Sequence, residues 1–301
     1  MSDRRPTVPS RALPGQPVAI GGLGGSGTRL FATVLRAAGF DIGTALNRAL
    51  DNLWFSILFK RAAWVQQTGQ TALDDRAVAD TIDLFHRAST TGLQHGLRPT
   101  DTTLLDHLAA TVHPNGPWKA GPRAPLIDRL RASTGPATPR LWGWKEPNTH
   151  VFLPHLNHHI PGLRYIHIVR NGRDMALTTK TWQMRHWSHV FDLPQEGDMQ
   201  HRQLRFWTVA NRAAISFGAD HMAGRFLLVD YDDFCTRPAP HLRRIWSFLN
   251  VPPGATDVVD IAPTSIGRGQ AVNLSQFPKD DVLAATALQE EVARMGRPDG
   301  P

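Results

Sequence analysis

The segment VAIGGLGGSGTRLF, residues 18–31, indicates the fold more clearly than any other stretch of the chain. It runs from a short apolar strand through a glycine-rich loop into a helix, which is the arrangement of a phosphate-binding loop. Gly22 and Gly27 have the Walker A spacing, but Thr28 and Arg29 stand where that loop has Lys followed by Ser or Thr. The usual lysine and magnesium ligand are therefore missing, which disfavours an ATPase or a kinase. Taken alone, the loop could also be an ordinary tight turn between a strand and a helix.

The composition is that of a globular chain with a basic surface. The 301 residues are 41% hydrophobic, enough for one large domain with a sizeable core. The net charge of +7 is compatible with an anionic ligand, although a solvated basic surface explains it more simply. Basic residues are scattered rather than clustered, so we expect no nucleic-acid partner.

The cysteine content and the apolar runs of the sequence bear on the expected compartment. The single cysteine, Cys235, excludes a disulfide within the chain and suits a reducing compartment. No apolar run approaches the ~18 residues of a membrane span, and the first residues lack the apolar core of a signal peptide. We expect a soluble, cytoplasmic protein, with residues 1–16 as a disordered tail and residues 17–301 as a single domain.

Apolar segments alternate with helical patterns along the chain. Four segments are typical of buried strands: 17–22, 140–145, 163–169 and 226–231. Three of them precede amphipathic helical patterns, at 28–39, 173–182 and 239–250. This alternation predicts an α/β fold, a three-layer sandwich with a central parallel sheet, as in P-loop NTPases. A long stretch, about 44–138, is expected to be a helical insert, and a further helical block covers 201–222.

Polar residues follow each predicted strand. Ligands of open α/β sheets bind beyond the carboxyl ends of the strands, so these residues are expected to share one site. The first strand leads into the glycine-rich loop, whose N–H groups, together with the hydroxyls of Ser26 and Thr28, suit an oxyanion. The second is followed by Lys145 and Glu146, and the fourth ends at Tyr231.

The third predicted strand carries a possible anion grip of its own. Arg170 ends it, and Thr178 lies eight residues on, in what we expect to be the following helix. An arginine fork and a hydroxyl close to a helix start would together hold a phosphate. For this pair alone, a surface arginine and a threonine facing its own helix are the simpler interpretation.

Five segments in order resemble the motifs of sulfotransferases that use 3′-phosphoadenosine 5′-phosphosulfate (PAPS), in the bacterial branch of that family. GGSGTRLF resembles the loop for the 5′-phosphosulfate, and RYIHIVRNGRDMALT resembles the 3′-phosphate motif, with Thr178 in place of a serine. The others are WGWKEP, FLLVDYDDFCTRP and SIGRGQ, the last at 265–270. Together they span about 17–270, and each is weak alone.

The chain departs from the family pattern at its catalytic positions. Gly25 stands where the family has a basic residue, and Arg29 where it has a second threonine. Pro147 occupies the place of the catalytic histidine in the cytosolic branch. The nearest proton acceptor is Glu146, which we assign as the general base, with His150 in reserve.

The resemblance implies in-line transfer of a sulfuryl group from PAPS to a hydroxyl or amine of a small molecule or glycan, without a metal. It makes Glu146 the base, with Lys145 and Arg29 stabilising the sulfuryl oxygens and the leaving phosphate. Arg170, Thr178 and Arg268 would hold the 3′-phosphate. The implied donor-binding residues are Gly24, Gly25, Ser26, Gly27, Thr28, Arg29, Arg170, Thr178, Tyr231, Gly267 and Arg268.

Other functions stay open on sequence grounds. A P-loop kinase with an atypical loop is one alternative, and a non-catalytic nucleotide-binding protein of the same fold is another. His155, His158 and His159 could share a helix face, but no carboxylate motif accompanies them, so no metal site is expected. Neither the acceptor nor the oligomeric state is encoded in a recognisable motif.

Overall fold

A four-stranded parallel sheet lies at the centre of the protein. The structure is a computed structural model that describes residues 16–68, 76–90, 92–93, 96–111, 123–132, 141–252, 267 and 273–298. The strands run in the order β2-β1-β3-β4, and every neighbouring pair is parallel. Their bounds are β1 Val18–Gly22, β2 Gly143–Lys145, β3 Arg164–Val169 and β4 Phe226–Asp230. The α/β prediction with a central parallel sheet is thus confirmed.

Thirteen α-helices lie within the described residues. They are α1 Thr28–Ala37, α2 Leu53–Phe59, α3 Ala62–Thr68, α4 Arg76–Thr90, α5 Pro99–Ala110, α6 Arg123–Arg131, α7 Leu153–His159, α8 Gly172–Ala176, α9 Trp182–Trp187, α10 Met199–His221, α11 Tyr231–Thr236, α12 Pro238–Leu249 and α13 Lys279–Gly296. A 3₁₀ turn, Pro147–Phe152, follows β2. Helices α2 to α6 fall in the stretch for which a helical insert was predicted.

Both faces of the sheet are covered by helices, and side chains along each strand alternate between the two faces. On one face Ile20 and Ile166 pack with Phe31 of α1 and Trp246 of α12. On the other face the core includes Ala19, Trp144 and Tyr165, which pack with residues of α2, α4 and α10. Helices on both faces of one sheet make the three-layer arrangement.

Two element boundaries differ from the sequence prediction and bear on the site. The helix predicted over 173–182 is instead α8, which ends at Ala176, and a separate α9, which begins at Trp182. Thr178 therefore lies in the connection and not in the predicted helix. The fourth strand stops at Asp230, and α11 begins at Tyr231. The Asp230 side chain caps this helix by accepting from the backbone N–H groups of Asp232 and Asp233.

The C-terminal helix α13 closes the far side of β4. Gly296 lies so close to the strand that a Cβ would meet the Asp230 nitrogen at 2.8 Å. Arg244 of α12 donates to the carbonyls of Gly296 and Met295, which neutralises the end of α13. The helix thereby fixes the position of Asp230 just before α11.

Candidate active site

The glycine-rich loop between β1 and α1 is a tight turn that only glycine accommodates at key points. Ser26 N donates to the Leu23 carbonyl at 2.9 Å. Gly25 and Gly27 have φ values of +108° and +85°, in the region that other residues enter at a cost. A Cβ on Gly27 would lie 2.0 Å from Cε2 of Tyr231, so the tyrosine ring packs directly on the loop backbone.

The hydroxyl of Ser26 is buried in this loop without a hydrogen-bond partner among the described residues. Ser26 is 1% exposed, and its Oγ contacts no donor or acceptor there. Burying a polar group without a partner costs about 1–3 kcal/mol, so such groups in native proteins commonly serve a ligand. Thr28, also buried, opens α1 immediately beyond the loop.

Arg170 reaches the same loop from the end of β3. Its Nη1 donates to the Gly25 carbonyl at 3.4 Å, and its Nη2 donates to Asp174 Oδ2 at 2.6 Å. The guanidinium also lies over the Tyr231 ring, 5.8 Å from the centroid. The expected convergence of strand ends is therefore seen for the glycine-rich loop, Arg170 and Tyr231.

Burial shifts the acid–base properties of the groups around Arg170. It raises the pKa of Tyr231 to about 12, so the phenol keeps its proton at neutral pH. Burial also raises the pKa of Asp232 to about 6, against the opposing effect of the bond that its Oδ2 accepts from Asn171 N at 2.7 Å. Tyr231 is therefore neutral near neutral pH, and Asp232 takes up a proton at a higher pH than an exposed aspartate does.

Thr178 lies near the loop although it is not on a helix. It borders a small cavity together with Gly24, Met175 and Gln183. Its hydroxyl accepts from Lys180 N at 3.2 Å, and its carbonyl accepts from Gln203 Nε2 at 2.9 Å. Thr178 thus lies near the glycine-rich loop because of the turn after α8, and not because of the helix that was predicted there.

The two basic residues assigned to catalysis occupy different surroundings. Lys145 is 2% exposed, and its Nζ donates to the Ala49 carbonyl at 3.1 Å and forms an ion pair with Asp51. Arg29 is exposed on the first turn of α1, and its guanidinium has no ion pair with any described residue. The charge of Lys145 is therefore partly offset by the segment that precedes α2.

Glu146 is buried and held by one neighbour. Its Oε2 accepts from Asn148 N at 2.6 Å, and Asn148 Nδ2 lies 2.8 and 3.0 Å from Oε1 and Oε2. Burial raises the pKa of Glu146; the charge of Lys60 lowers it, Asp51 raises it, and the bonds from Asn148 lower it. A carboxyl in such a setting is a better proton acceptor, once ionised, than an exposed one.

Two residues that the sequence analysis did not assign to the site, Asn148 and Gln183, connect Glu146 to the loop, and Trp187 also contacts Asn148. Asn148 Oδ1 accepts from Gln183 Nε2 at 2.7 Å and from Trp187 Nε1 at 2.9 Å. Gln183 Oε1 in turn accepts from Gly24 N. No local pattern indicates these contacts, since Gln183 and Gly24 lie 159 positions apart.

Lys60 is a further residue near the site that the sequence analysis did not identify. It follows α2, and its Nζ lies 4.4 Å from the centroid of the Trp182 ring. The charge of Lys60 lowers the pKa of Glu146, against the effect of burial. A lysine after an apolar helix is an ordinary surface feature, so the sequence offered no signal for it.

His150, the reserve base, is a packed and neutral residue. Its Nδ1 donates to the Pro147 carbonyl at 2.8 Å, and its ring stacks on Phe191 with centroids 6.4 Å apart. Burial lowers its pKa to about 4, which keeps the imidazole neutral at neutral pH. Its Nε2 is buried without a partner in the described part of the chain.

The remaining residues of interest lie at the edges of what the structure describes. Gly267 has a φ of +79°, whereas Arg268 lies outside the described residues. In the described ranges, His, Cys, Asp and Glu side chains form no group of three that could hold a metal ion. No helix in those ranges is both long and apolar enough to cross a membrane.

The fold and this edge of the sheet define an α/β protein with a P-loop-like strand–loop–helix unit, in which an arginine and a tyrosine converge on the loop. The chain belongs to the sulfotransferase family, because the sequence profile described as "Sulfotransferase family" matches residues 17–256. No curated protein sequence matches the chain significantly.

Solved structures similar to this chain are also sulfotransferases. The sulfotransferase domain from the Synechococcus PCC 7002 olefin synthase has 18% identity and a TM-score of 0.49, covering 95% of this chain and 98% of its own. The domain from the curacin biosynthetic pathway has 16% identity and a TM-score of 0.39, covering 80% and 75%. A sulfotransferase from Mycobacterium tuberculosis has 15% identity and a TM-score of 0.39, covering 94% and 77%.

Proposed function

We propose that this sulfotransferase uses PAPS and transfers the sulfuryl group to a hydroxyl or amine of a small molecule or glycan. The observation that carries this proposal is the buried, unpartnered hydroxyl of Ser26 in a glycine-rich loop contacted by Arg170 and packed against Tyr231. A glycine-rich loop at a helix start, with a buried hydroxyl that has no partner among the described residues, suits a phosphosulfate group. Arg170 would supply positive charge to a second phosphate of the donor, which requires that its ion pair with Asp174 leave part of that charge effective.

The residues divide between donor binding and chemistry. Residues Gly24 to Thr28 would hold the 5′-phosphosulfate, and Arg170 with Thr178 would hold the 3′-phosphate, aided by the segment that contains Gly267 and Arg268. Tyr231, protonated at neutral pH, lies where it can pack on the nucleotide or donate to it. PAPS, when bound, supplies an activated sulfuryl group whose sulfur–oxygen bond to phosphate breaks during transfer.

Glu146 is proposed to accept the proton that the acceptor releases during transfer. As the acceptor oxygen or nitrogen forms its bond to sulfur, it releases a proton, which the Glu146 carboxylate takes up. Lys145 and Arg29 are proposed to offset negative charge on the sulfuryl oxygens and leaving phosphate. For Lys145 this requires that its ion pair with Asp51 leave part of its charge effective. No step in this scheme needs a metal ion, so chelators are expected to leave the rate unchanged.

The proposal is tested by PAPS turnover against a panel of small-molecule and glycan acceptors, with release of the 3′,5′-bisphosphate product PAP as the readout. We expect PAP release with at least one acceptor and its loss in Glu146→Gln. Equal activity in the two proteins would remove Glu146 as the base. No turnover with any acceptor, despite PAP binding, would favour a non-catalytic nucleotide-binding protein. Stabilisation by Mg-ATP but not by PAP would favour a kinase.

A further inference from the structure

A buried chain of amide groups joins the phosphate loop to the carboxylate of Glu146. It passes from Gly24 N to Gln183, from Gln183 to Asn148, and from Asn148 to Glu146. Asn148 and Gln183 are 2% and 9% exposed, so the bonds among Gln183, Asn148 and Glu146 are buried, whereas the bond from Gly24 N is partly buried. Trp187, at 0% exposure, adds a second donor to Asn148.

The donor and acceptor ends of these hydrogen bonds are fixed by two groups that can only donate. The indole N–H of Trp187 has no acceptor capacity, so the Asn148 atom facing it must be Oδ1. The backbone N–H of Gly24 likewise requires that Gln183 face it with Oε1 and face Asn148 with Nε2. With Oδ1 of Asn148 so engaged, its Nδ2 necessarily faces Glu146.

We propose that Gln183 and Trp187 are positioning residues that fix the amide of Asn148 with its N–H groups towards Glu146, and so hold that buried carboxyl in its proton-accepting form. The inference rests on the proposed role of Glu146 as the base. A flipped Asn148 amide would turn an oxygen towards the carboxylate, which only a protonated Glu146 could satisfy. The contacts that set the proton affinity of Glu146 therefore begin at the phosphate loop.

Other groups also act on Glu146 and must be considered in any pH measurement. Lys60 lowers the pKa of Glu146, Asp51 raises it, and burial is the largest influence. Tyr165, on β3, stays protonated because burial raises its pKa well above the ordinary value. None of these three groups is altered in the variants below, so changes in the pKa of Glu146 report on Asn148.

The pKa of Glu146 can be measured directly, because the protein contains only four glutamates: Glu146, Glu196, Glu290 and Glu291. Carbon-13 labelling of glutamate side-chain carboxyls gives four NMR signals, and Glu146→Gln identifies the one from Glu146. Titrating the labelled protein reads the pKa of Glu146 without any acceptor or turnover. The variants are Gln183→Met, Trp187→Phe and the double variant, since each change removes one donor to Asn148.

Either remaining donor should keep Asn148 in place, so the two changes are expected to be strongly non-additive. We expect each single variant to raise the pKa of Glu146 by under about 0.5 unit and the double variant to raise it by about 1 unit or more, equivalent to one hydrogen bond. Trp246→Phe, a buried tryptophan on the opposite face of the sheet, is the control and should leave the signal unshifted.

A double-variant shift no larger than the sum of the single shifts would overturn the proposal. If the double variant does not fold, Asn148→Ala replaces it and should raise the pKa of Glu146 by a similar amount. An unshifted pKa in Asn148→Ala would equally overturn the proposal. PAPS turnover by the wild type is scored separately, so failure of the positioning role is distinguished from failure of the proposed function.

Discussion

The contact between Gly27 and Tyr231 gives a prediction with a matched control. In Gly27→Ala the new Cβ would meet the tyrosine ring at 2.0 Å, and the φ of +85° would strain the alanine. Gly39 has nearly the same φ, +84°, but nothing lies within 4 Å of its Cβ position. Gly39→Ala therefore carries the backbone strain alone, and the difference between the two variants isolates the tyrosine contact.

The expected magnitudes follow from this geometry. An alanine in the left-handed region costs about 1–2 kcal/mol, partly offset by about 0.4–1 kcal/mol from the stiffer unfolded chain, so Gly39→Ala should cost about 1 kcal/mol. In Gly27→Ala the ring must also move by about 1.5 Å to reach an ordinary contact distance, which loses packing of a half-buried aromatic worth about 1–1.5 kcal/mol. The total for Gly27→Ala is about 2–3 kcal/mol.

The assay is thermal unfolding of the variants in the absence of ligand. At about 2 °C per kcal/mol for a chain of this size, Gly39→Ala should lower Tm by about 2 °C and Gly27→Ala by about 4–6 °C. In a Tyr231→Ala background the cost of Gly27→Ala should fall to that of Gly39→Ala, since the two residues are coupled. Equal losses in the two glycine variants, or an undiminished cost without the tyrosine ring, would refute the reasoning.

Three further changes probe the charge and polarity of the site. Ser26→Ala should leave the free protein as stable or slightly more stable while weakening PAP binding about 10-fold or more, the value of a hydrogen bond to a charged group; unchanged affinity in calorimetry would contradict it. Lys60→Met should raise the pKa of Glu146, read by carboxyl NMR, because it removes the charge that opposes burial; an unshifted signal would contradict this. The pKa of Asp232, about 6 when folded, lies above its unfolded value of about 3.9, so its stabilising effect is complete below pH 4 and lost as pH rises through 6. Asp232→Asn should therefore gain about 1–2 kcal/mol of stability relative to wild type between pH 4 and 7.5, with the partly exposed side chain discounted for solvent screening; a constant Tm difference would contradict the shift.

Local sequence patterns predicted the elements that carry the candidate site. The apolar run of β1 and the glycines that follow are contiguous, so short-range rules suffice for the loop and for α1. Arg170 and Tyr231 were placed beside the loop because parallel strands direct their carboxyl ends to one edge. The boundary at Asp230 could also have been predicted, since an Asp with acidic residues two and three positions later is typical of a helix start.

Side-chain partners across long separations were not accessible in the same way. Lys145 and Asp51 pair across 94 positions, and Gln183 reaches Gly24 across 159. Such choices depend on which helix face packs on which strand, a tertiary outcome that neither periodicity nor spacing encodes. Thr178 is an intermediate case. The residue near the loop was predicted, but the helix predicted to carry it was wrong, because α8 ends at Ala176.

Donor recognition can be measured without knowing the acceptor, by calorimetric titration of the chain with PAP, 5′-AMP and Mg-ATP. If Arg170 and the loop bind a 3′-phosphate and a 5′-phosphosulfate, PAP should bind at least about 100-fold more tightly than 5′-AMP, the value of two charge-assisted hydrogen bonds. Equal affinity for PAP and 5′-AMP, or tighter binding of Mg-ATP than of PAP, would contradict the proposal that this sulfotransferase uses PAPS.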